Sequence, residues 1–114
     1  MIAVIFEVIP KEGAAHRYFE IAASLKPMLE ATDGFISVER FESIMQPGKY
    51  LSLSFWRDEE AVRAWRTHAL HRDSQQEGRS SVFTDYRLRV AGVIRNYGMF
   101  DRAQAPRDSL AYLI

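Results

Sequence analysis

SFWRDEEAVRAWRTHALHRDSQQEGRSSVFTDY, residues 54–86, holds a strand end, a helix start and the approach to another strand in one stretch. The strand runs from Tyr50 to Arg57: Leu51, Leu53 and Phe55 share one face, and Tyr50, Ser52, Ser54 and Trp56 share the other. Asp58 fits an N-cap, followed by Glu59 and Glu60 in the first turn, where the helix dipole favours negative charge. A helix that starts near Glu59 and runs on through Arg79 turns by about 100° per residue, which places Val62, Trp65, His68, Arg72, Gln76 and Arg79 on one face. Val62 and Trp65 lead that face, so it should look inward, yet half of it is polar. A buried polar group without a partner costs about 1–3 kcal/mol, so the stripe either pairs internally or lines a cavity. Gly78 is the weak point of this helix and would leave Arg79 to Phe83 as a separate turn.

Downstream of this stretch, Thr84 to Tyr97 reads as the last strand. Upstream, Phe35 to Ser43 alternates Ile36 and Val38 on one side with Phe35 and Phe41 on the other. Gln46-Pro47-Gly48-Lys49 supplies the turn that joins this strand to Tyr50–Arg57 as a hairpin. Lys11 to about Glu30 shows apolar residues at helical spacing (Ala15, Tyr18, Phe19, Ala22, Leu25, Leu29), with Pro27 inside the pattern as a point of kinking. Ile2 to Ile9 is apolar at nearly every position and β-branched, a strand covered on both faces. Strand, helix, strand, strand, helix, strand with right-handed crossovers specifies an α+β fold, a ferredoxin-like βαββαβ sandwich with both helices on one face of a four-stranded antiparallel sheet. Phe35, Phe41, Tyr50 and Trp56 are expected to point away from the Leu51, Leu53, Phe55 set. One sheet face then lacks a cover, which a second subunit would supply.

The chain has 114 residues, the size of one domain. Lys plus Arg equal Asp plus Glu at 15 each, so no net field attracts nucleic acid or an acidic membrane. With no cysteine, disulfides, thiolate metal sites and cysteine nucleophiles are excluded. The apolar N-terminus is short, lacks a basic leader and meets Pro10 and Lys11 at once, so it reads as a strand; no run approaches the length of a membrane span, and the expected location is the cytoplasm. The domain is read as residues 1–98, and residues 99–114 as a C-terminal extension whose apolar end, Ser109 to Ile114, adds a strand or packs on the dimer.

The element order, GFISVERFES before the hairpin, SFWRDEEAVRAWRTHALHR on the second helix and the final YRLRVAGVIRNYG resemble the antibiotic biosynthesis monooxygenase domain over roughly residues 2 to 97. Phe55-Trp56, Asp58, Ala61, Ala64-Trp65, then His68, His71, Gln75 and Gly78-Arg79 look like the branch grouped with haem-degrading monooxygenases. The resemblance implies a homodimer with its sheets back to back, a dimeric α+β barrel, and a pocket between helices and sheet in each subunit. It further implies either cofactor-free oxidation of a quinol or phenolic substrate by O₂, or haem binding and cleavage. Haem-degrading members use an Asn near the end of the first strand, a Trp and a proximal His; Trp65 and His68 or His71 match in kind, while the first strand holds Phe6 and Glu7 and no Asn.

Cofactor-free oxidation needs a base, a cation for developing negative charge and an aromatic box. His68 or His71 is the candidate base, since an imidazole is neutral near pH 7. Arg72 is the candidate electrostatic stabiliser, and Trp65, Gln76, Arg79, Phe83 and Tyr86 are candidate substrate contacts. Against these stand simpler roles: His71 on the surface, His68 satisfied and partly buried, the arginines paired with Asp73, Glu77 or Asp85, and Trp56 and Phe83 as core. A metal pair at His68 and His71 would need a third ligand, and His16 is the only further histidine, so no metal is expected. Glu39 would be an interface carboxylate. Three readings result: a cofactor-free monooxygenase acting on a small aromatic with O₂, a haem-binding or haem-degrading protein, and a non-catalytic small-ligand-binding dimer.

Overall fold

The computed structural model describes residues 1–75 and 81–110, with the side chains of 70–75 outside the description. The elements are β1 (Ile2–Pro10), α1 (Ala15–Ala31), β2 (Phe35–Glu42), β3 (Tyr50–Trp56), α2 (Glu59–Gln75) and β4 (Phe83–Gly92), followed by a short 3₁₀ turn at Arg107–Ser109. The four strands form one sheet in the order β2-β3-β1-β4, and every neighbouring pair is antiparallel. This is the expected α+β ferredoxin-like sandwich.

The hairpin turn forms as its residues dictate. Lys49 N–H donates to the Gln46 carbonyl at 3.1 Å, and Gly48 takes φ +89° after Pro47, the geometry of a type II turn. At the start of α2, Ala61 N–H donates to Asp58 Oδ1 at 2.9 Å, the N-cap bond expected of Asp58. Helix α1 continues through Pro27, which lies on its exposed side. It starts at Ala15, later than Lys11, because Lys11 to Ala14 form a turn closed by Ala14 N–H on the Lys11 carbonyl.

Registers decide the two faces of the sheet. Trp56 pairs with Ile2 and Phe35, Ser54 with Val4 and Val38, Ser52 with Phe6 and Arg40, and Tyr50 with Val8 and Glu42. Two buried clusters hang on this face. Leu29, Trp56, Ala61 and Val62 form one, and Val8, Tyr18 and Val82 form the other. Tyr50 and Trp56 therefore face the helices, and Leu51, Leu53 and Phe55 face away. Phe41 belongs with Leu51, its register partner, and not with Trp56. The cause is a bulge between Phe35 and Ser37: Ile36 is the extra residue, so Phe35 turns to the helix side while Ser37, Glu39 and Phe41 turn outward.

Strand β4 is shorter than Thr84 to Tyr97. Gly92 pairs with Ile2, the first residue of β1, and beyond it Val93 N–H reaches the Met1 carbonyl. Residues 93–110 are instead tied together by Arg102, which stacks on Tyr97 at 5.3 Å and bonds the carbonyls of Gly98 and Ser109. The described part of this extension adds no strand to the sheet.

Gly34 fixes the approach of α2 to the sheet. Its φ of +90° is left-handed, its carbonyl accepts Arg57 N–H at 2.7 Å, and a Cβ there would lie 2.6 Å from the Cβ of Ala61. Only glycine satisfies both demands.

Candidate functional site

Between the helices and the inner sheet face lies a cavity of about 210 Å³. Its floor is two rows across the sheet, Arg40-Ser52-Phe6-Leu88 and Val38-Ser54-Val4-Val90, each residue opposite the next in register. Tyr18, Ile21, Ala22, Leu25 and Leu29 of α1 and Val62, Trp65, Arg66 and Ala69 of α2 close it from above, with Trp56, Val82 and Phe83 completing the wall. The cavity exists because the floor carries serines where a packed core would carry leucines, at Ser52 and Ser54. Ser54 accepts the Trp56 indole N–H at 2.9 Å, which settles the one polar atom of a side chain only 1% exposed.

Besides Ser52, Ser54, Tyr18 and the two indoles, the described wall carries two arginines, Arg40 and Arg66. Arg40 donates through Nε to the Tyr18 hydroxyl at 3.3 Å and lies over the Tyr18 ring at 5.7 Å. Tyr18 is 5% exposed, so the bond anchors an otherwise exposed guanidinium to a buried oxygen. Arg66 lines both this cavity and the groove between α2 and Val90, which marks the β4 side as open. Neither arginine has a carboxylate partner among the described residues. Elsewhere arginines are engaged: Arg57 forks onto Asp33 with two 3.2 Å bonds and reaches Asp58 at 3.1 Å.

Of the expected stripe on α2, Val62 and Trp65 turn inward and His68 does not. Val62 and Ala69 are buried and Trp65 is half-buried, but His68 is exposed and does not line the cavity. At about 100° per residue His68 falls about 120° from Val62, while Arg66 and Ala69 fall within about 40° of it. The inward row is therefore Val62, Trp65, Arg66 and Ala69. Trp65 and Phe83 stand on the cavity wall, with Trp65 6.4 Å from Trp56 between ring centroids. Tyr86 is 57% exposed and packs on Phe6 and Phe83 at 5.6 and 6.2 Å without entering the lining. The side chains of His71 and Arg72, together with Gln76, Gly78 and Arg79, lie outside the described residues.

Sequence reasoning missed Arg40, Ser52, Ser54, Tyr18 and Arg66. Arg40 and Ser52 carried a signal, being polar residues at inward positions of paired strands, which the bulge at Ile36 concealed. Among the described residues the lining holds no imidazole, thiolate, thioether or carboxylate. A haem iron would find no axial donor of those kinds among these lining residues. No group of His, Asp and Glu that could hold a metal ion occurs among the described residues, and no described helix is long and apolar enough to cross a membrane.

The outer sheet face carries Ile5, Leu51, Leu53 and Phe55, all partly exposed, and Phe41 at 43%. Glu7 sits among them with Arg89 at 3.2 Å and Lys49 at 3.8 Å. The hydrogen bond from Arg89, joined by the charges of Lys49 and Arg87, outweighs partial loss of hydration and holds the Glu7 carboxyl below its ordinary value.

Comparison with known proteins agrees with this architecture. A "Jasmonate monooxygenase ABM" from Pyricularia oryzae is 50% identical over 93 residues, which is 82% of this chain and 43% of that protein, so the chain spans less than half the length of this relative. An "Uncharacterized protein YqjZ" of Bacillus subtilis is 31% identical over 82% of the chain and 79% of its own length. The heme-degrader MhuD of Mycobacterium tuberculosis, solved with two hemes in its active site, superimposes with a TM-score of 0.69 at 19% identity, over 86% of this chain and all of that one. The sequence pattern of the family described as antibiotic biosynthesis monooxygenase matches residues 1–77, and the chain belongs to that family.

Proposed function

We propose that the protein is an O₂-dependent monooxygenase that oxidises a small, largely apolar or aromatic molecule inside the cavity between helices and sheet, without a cofactor. The observation that supports this most is the cavity itself: about 210 Å³, walled by Trp56, Trp65, Phe6 and Phe83, and served by cationic arginines that no carboxylate among the described residues neutralises. Such a wall suits a flat hydrocarbon body and favours its anionic form, because a nearby guanidinium lowers the pKa of a phenol or enol. Once ionised and held away from water, an electron-rich substrate reduces O₂ directly. In an anthrone-like substrate a CH₂ group becomes C=O, one oxygen atom enters the product and the other leaves as water. The substrate supplies all the electrons. Arg66 is placed to balance the charge that develops on the way.

With no imidazole or carboxylate in the described lining, the proton leaves either before binding or to a group outside the described residues. His71 is our candidate for that base and Arg72 for a second stabiliser, with Gln76 and Arg79 as further contacts. The relative's name, a jasmonate monooxygenase, supports the reaction class. We further propose that two copies pair through the Leu51, Leu53, Phe55 face and that the extension with exposed Phe100 packs on the partner.

The test is oxygen consumption by chelator-treated protein with a panel of quinols and anthrones, alongside Ala22→Trp, which fills the cavity from α1. Turnover by the wild type and its loss in Ala22→Trp are expected. Equal rates in both would place the chemistry elsewhere, and activity that appears only after haemin is added would move the reading to the haem-degrading branch.

A further inference from the structure

Resting on the cavity as the substrate site, we propose that Arg40, Tyr18 and Ser52 form a carboxylate subsite at its β2 side, so that the natural substrate is a small amphipathic acid. Arg40 both lines the cavity and is exposed, which places its guanidinium where the cavity meets solvent. Its Nε is held by the Tyr18 hydroxyl at 3.3 Å, leaving the two terminal nitrogens as a fork. A planar fork of two parallel N–H donors is the geometry a carboxylate takes up in bidentate fashion.

The surrounding groups complete the recognition. The Tyr18 oxygen accepts from Arg40, so its own proton is free to be donated, and Tyr18 is 5% exposed and oriented by Phe19, Tyr50 and Phe83 rings 5.4–6.4 Å away. Ser52 is the register partner of Arg40, which brings its hydroxyl within a cross-strand pair's reach of the same spot. Glu42, on the same face of β2 two residues on, could have neutralised Arg40, but its Oε2 accepts Gly48 N–H at 3.1 Å. A cation with no carboxylate partner among the described residues, at the rim of an apolar cavity and braced by a buried hydroxyl, distinguishes acids from neutral molecules of the same shape. Phosphate esters fit less well, since their three oxygens need more donors than one guanidinium fork and two hydroxyls provide.

The experiment compares hydrocinnamic acid with hydrocinnamamide, which share shape and differ in charge. Trp56 and Trp65 are the only tryptophans and both line the cavity, so their fluorescence reports binding, with calorimetry as a second readout. The wild type should bind the acid roughly tenfold or more tightly than the amide. Arg40→Gln should erase that preference while amide binding stays within about twofold, and Tyr18→Phe, which keeps the ring, should reduce the preference in part. Equal binding of acid and amide to the wild type, or a preference lost in Arg66→Gln but kept in Arg40→Gln, would overturn the subsite and leave the cavity reading standing. Binding of neither molecule would overturn the cavity reading and the subsite with it.

Discussion

Replacing Gly34 by alanine tests the packing that sets α2 over the cavity. Two independent effects act at this position. The backbone has φ +90°, and a β-carbon in the left-handed region costs about 1–2 kcal/mol. The new methyl would also lie 2.6 Å from the Ala61 Cβ, on a residue 2% exposed and held by its N–H bond to Asp58, so relief requires moving the start of α2. Such overpacking costs about 1–3 kcal/mol. The sum, about 2–5 kcal/mol, corresponds to a fall in Tm of about 8–20 °C for a domain of this size. Gly48→Ala is the internal control, because φ is +89° there and no atom lies within 4 Å of the added carbon, so only the backbone cost remains. Thermal unfolding followed by circular dichroism at one fixed protein concentration separates the two, the fixed concentration keeping the mass-action contribution of any association the same for both. If Gly34→Ala and Gly48→Ala unfolded at the same temperature, the contact with Ala61 would not be what positions the helix.

Other consequences can be checked directly. Trp65→Ala removes a half-buried ring from the cavity wall and should cost about 2–4 kcal/mol in denaturant melts while weakening ligand binding; an unchanged midpoint would contradict its packing against Trp56. Asp58 is held below its ordinary value of 3.8, first by the Ala61 N–H and then by Arg57, so its contribution is complete above that value and is lost as pH falls through the lower folded value. Asp58→Asn keeps an acceptor for the cap but cannot titrate, and its Tm should therefore fall less than the wild type's between about pH 5 and about pH 3; parallel curves would refute the linkage. Leu53→Asp places a charge in the middle of the outer sheet face and should yield a folded monomer in sedimentation, whereas an unaltered dimer would show that subunits associate through another surface.

The fold was legible because its signals are local and agree with one another. Pro47-Gly48 forces a turn, Asp58 caps a helix, and an apolar run from Ile2 to Ile9, broken at Glu7, needs cover on both sides. The facing of the sheet was not legible, and the reason is a single residue. Ile36 is extra in β2, and a one-residue shift exchanges the two faces of a strand, so alternation counted from Phe35 misassigned Phe41 and hid Arg40. The site suffered a second error of phase. Stepping along α2 by three and four residues starting from Trp65 selects His68, whereas the row that packs continues to Ala69, because alanine gives no hint of burial by itself. Trp65 and Phe83 were legible as bulky residues near an inward face. Ser52, Ser54 and Tyr18 were not, since small or amphipathic residues acquire meaning only when registers bring them together.

The reaction itself is tested most directly by supplying isotopically heavy dioxygen to protein shown free of haem, flavin and metal, with an anthrone as substrate, and by weighing the product. Cofactor-free monooxygenation in the cavity predicts one heavy oxygen atom in the quinone product from the wild type and none above background from Ala22→Trp. A product whose new oxygen comes from water, or the same labelled yield from both proteins, would contradict it.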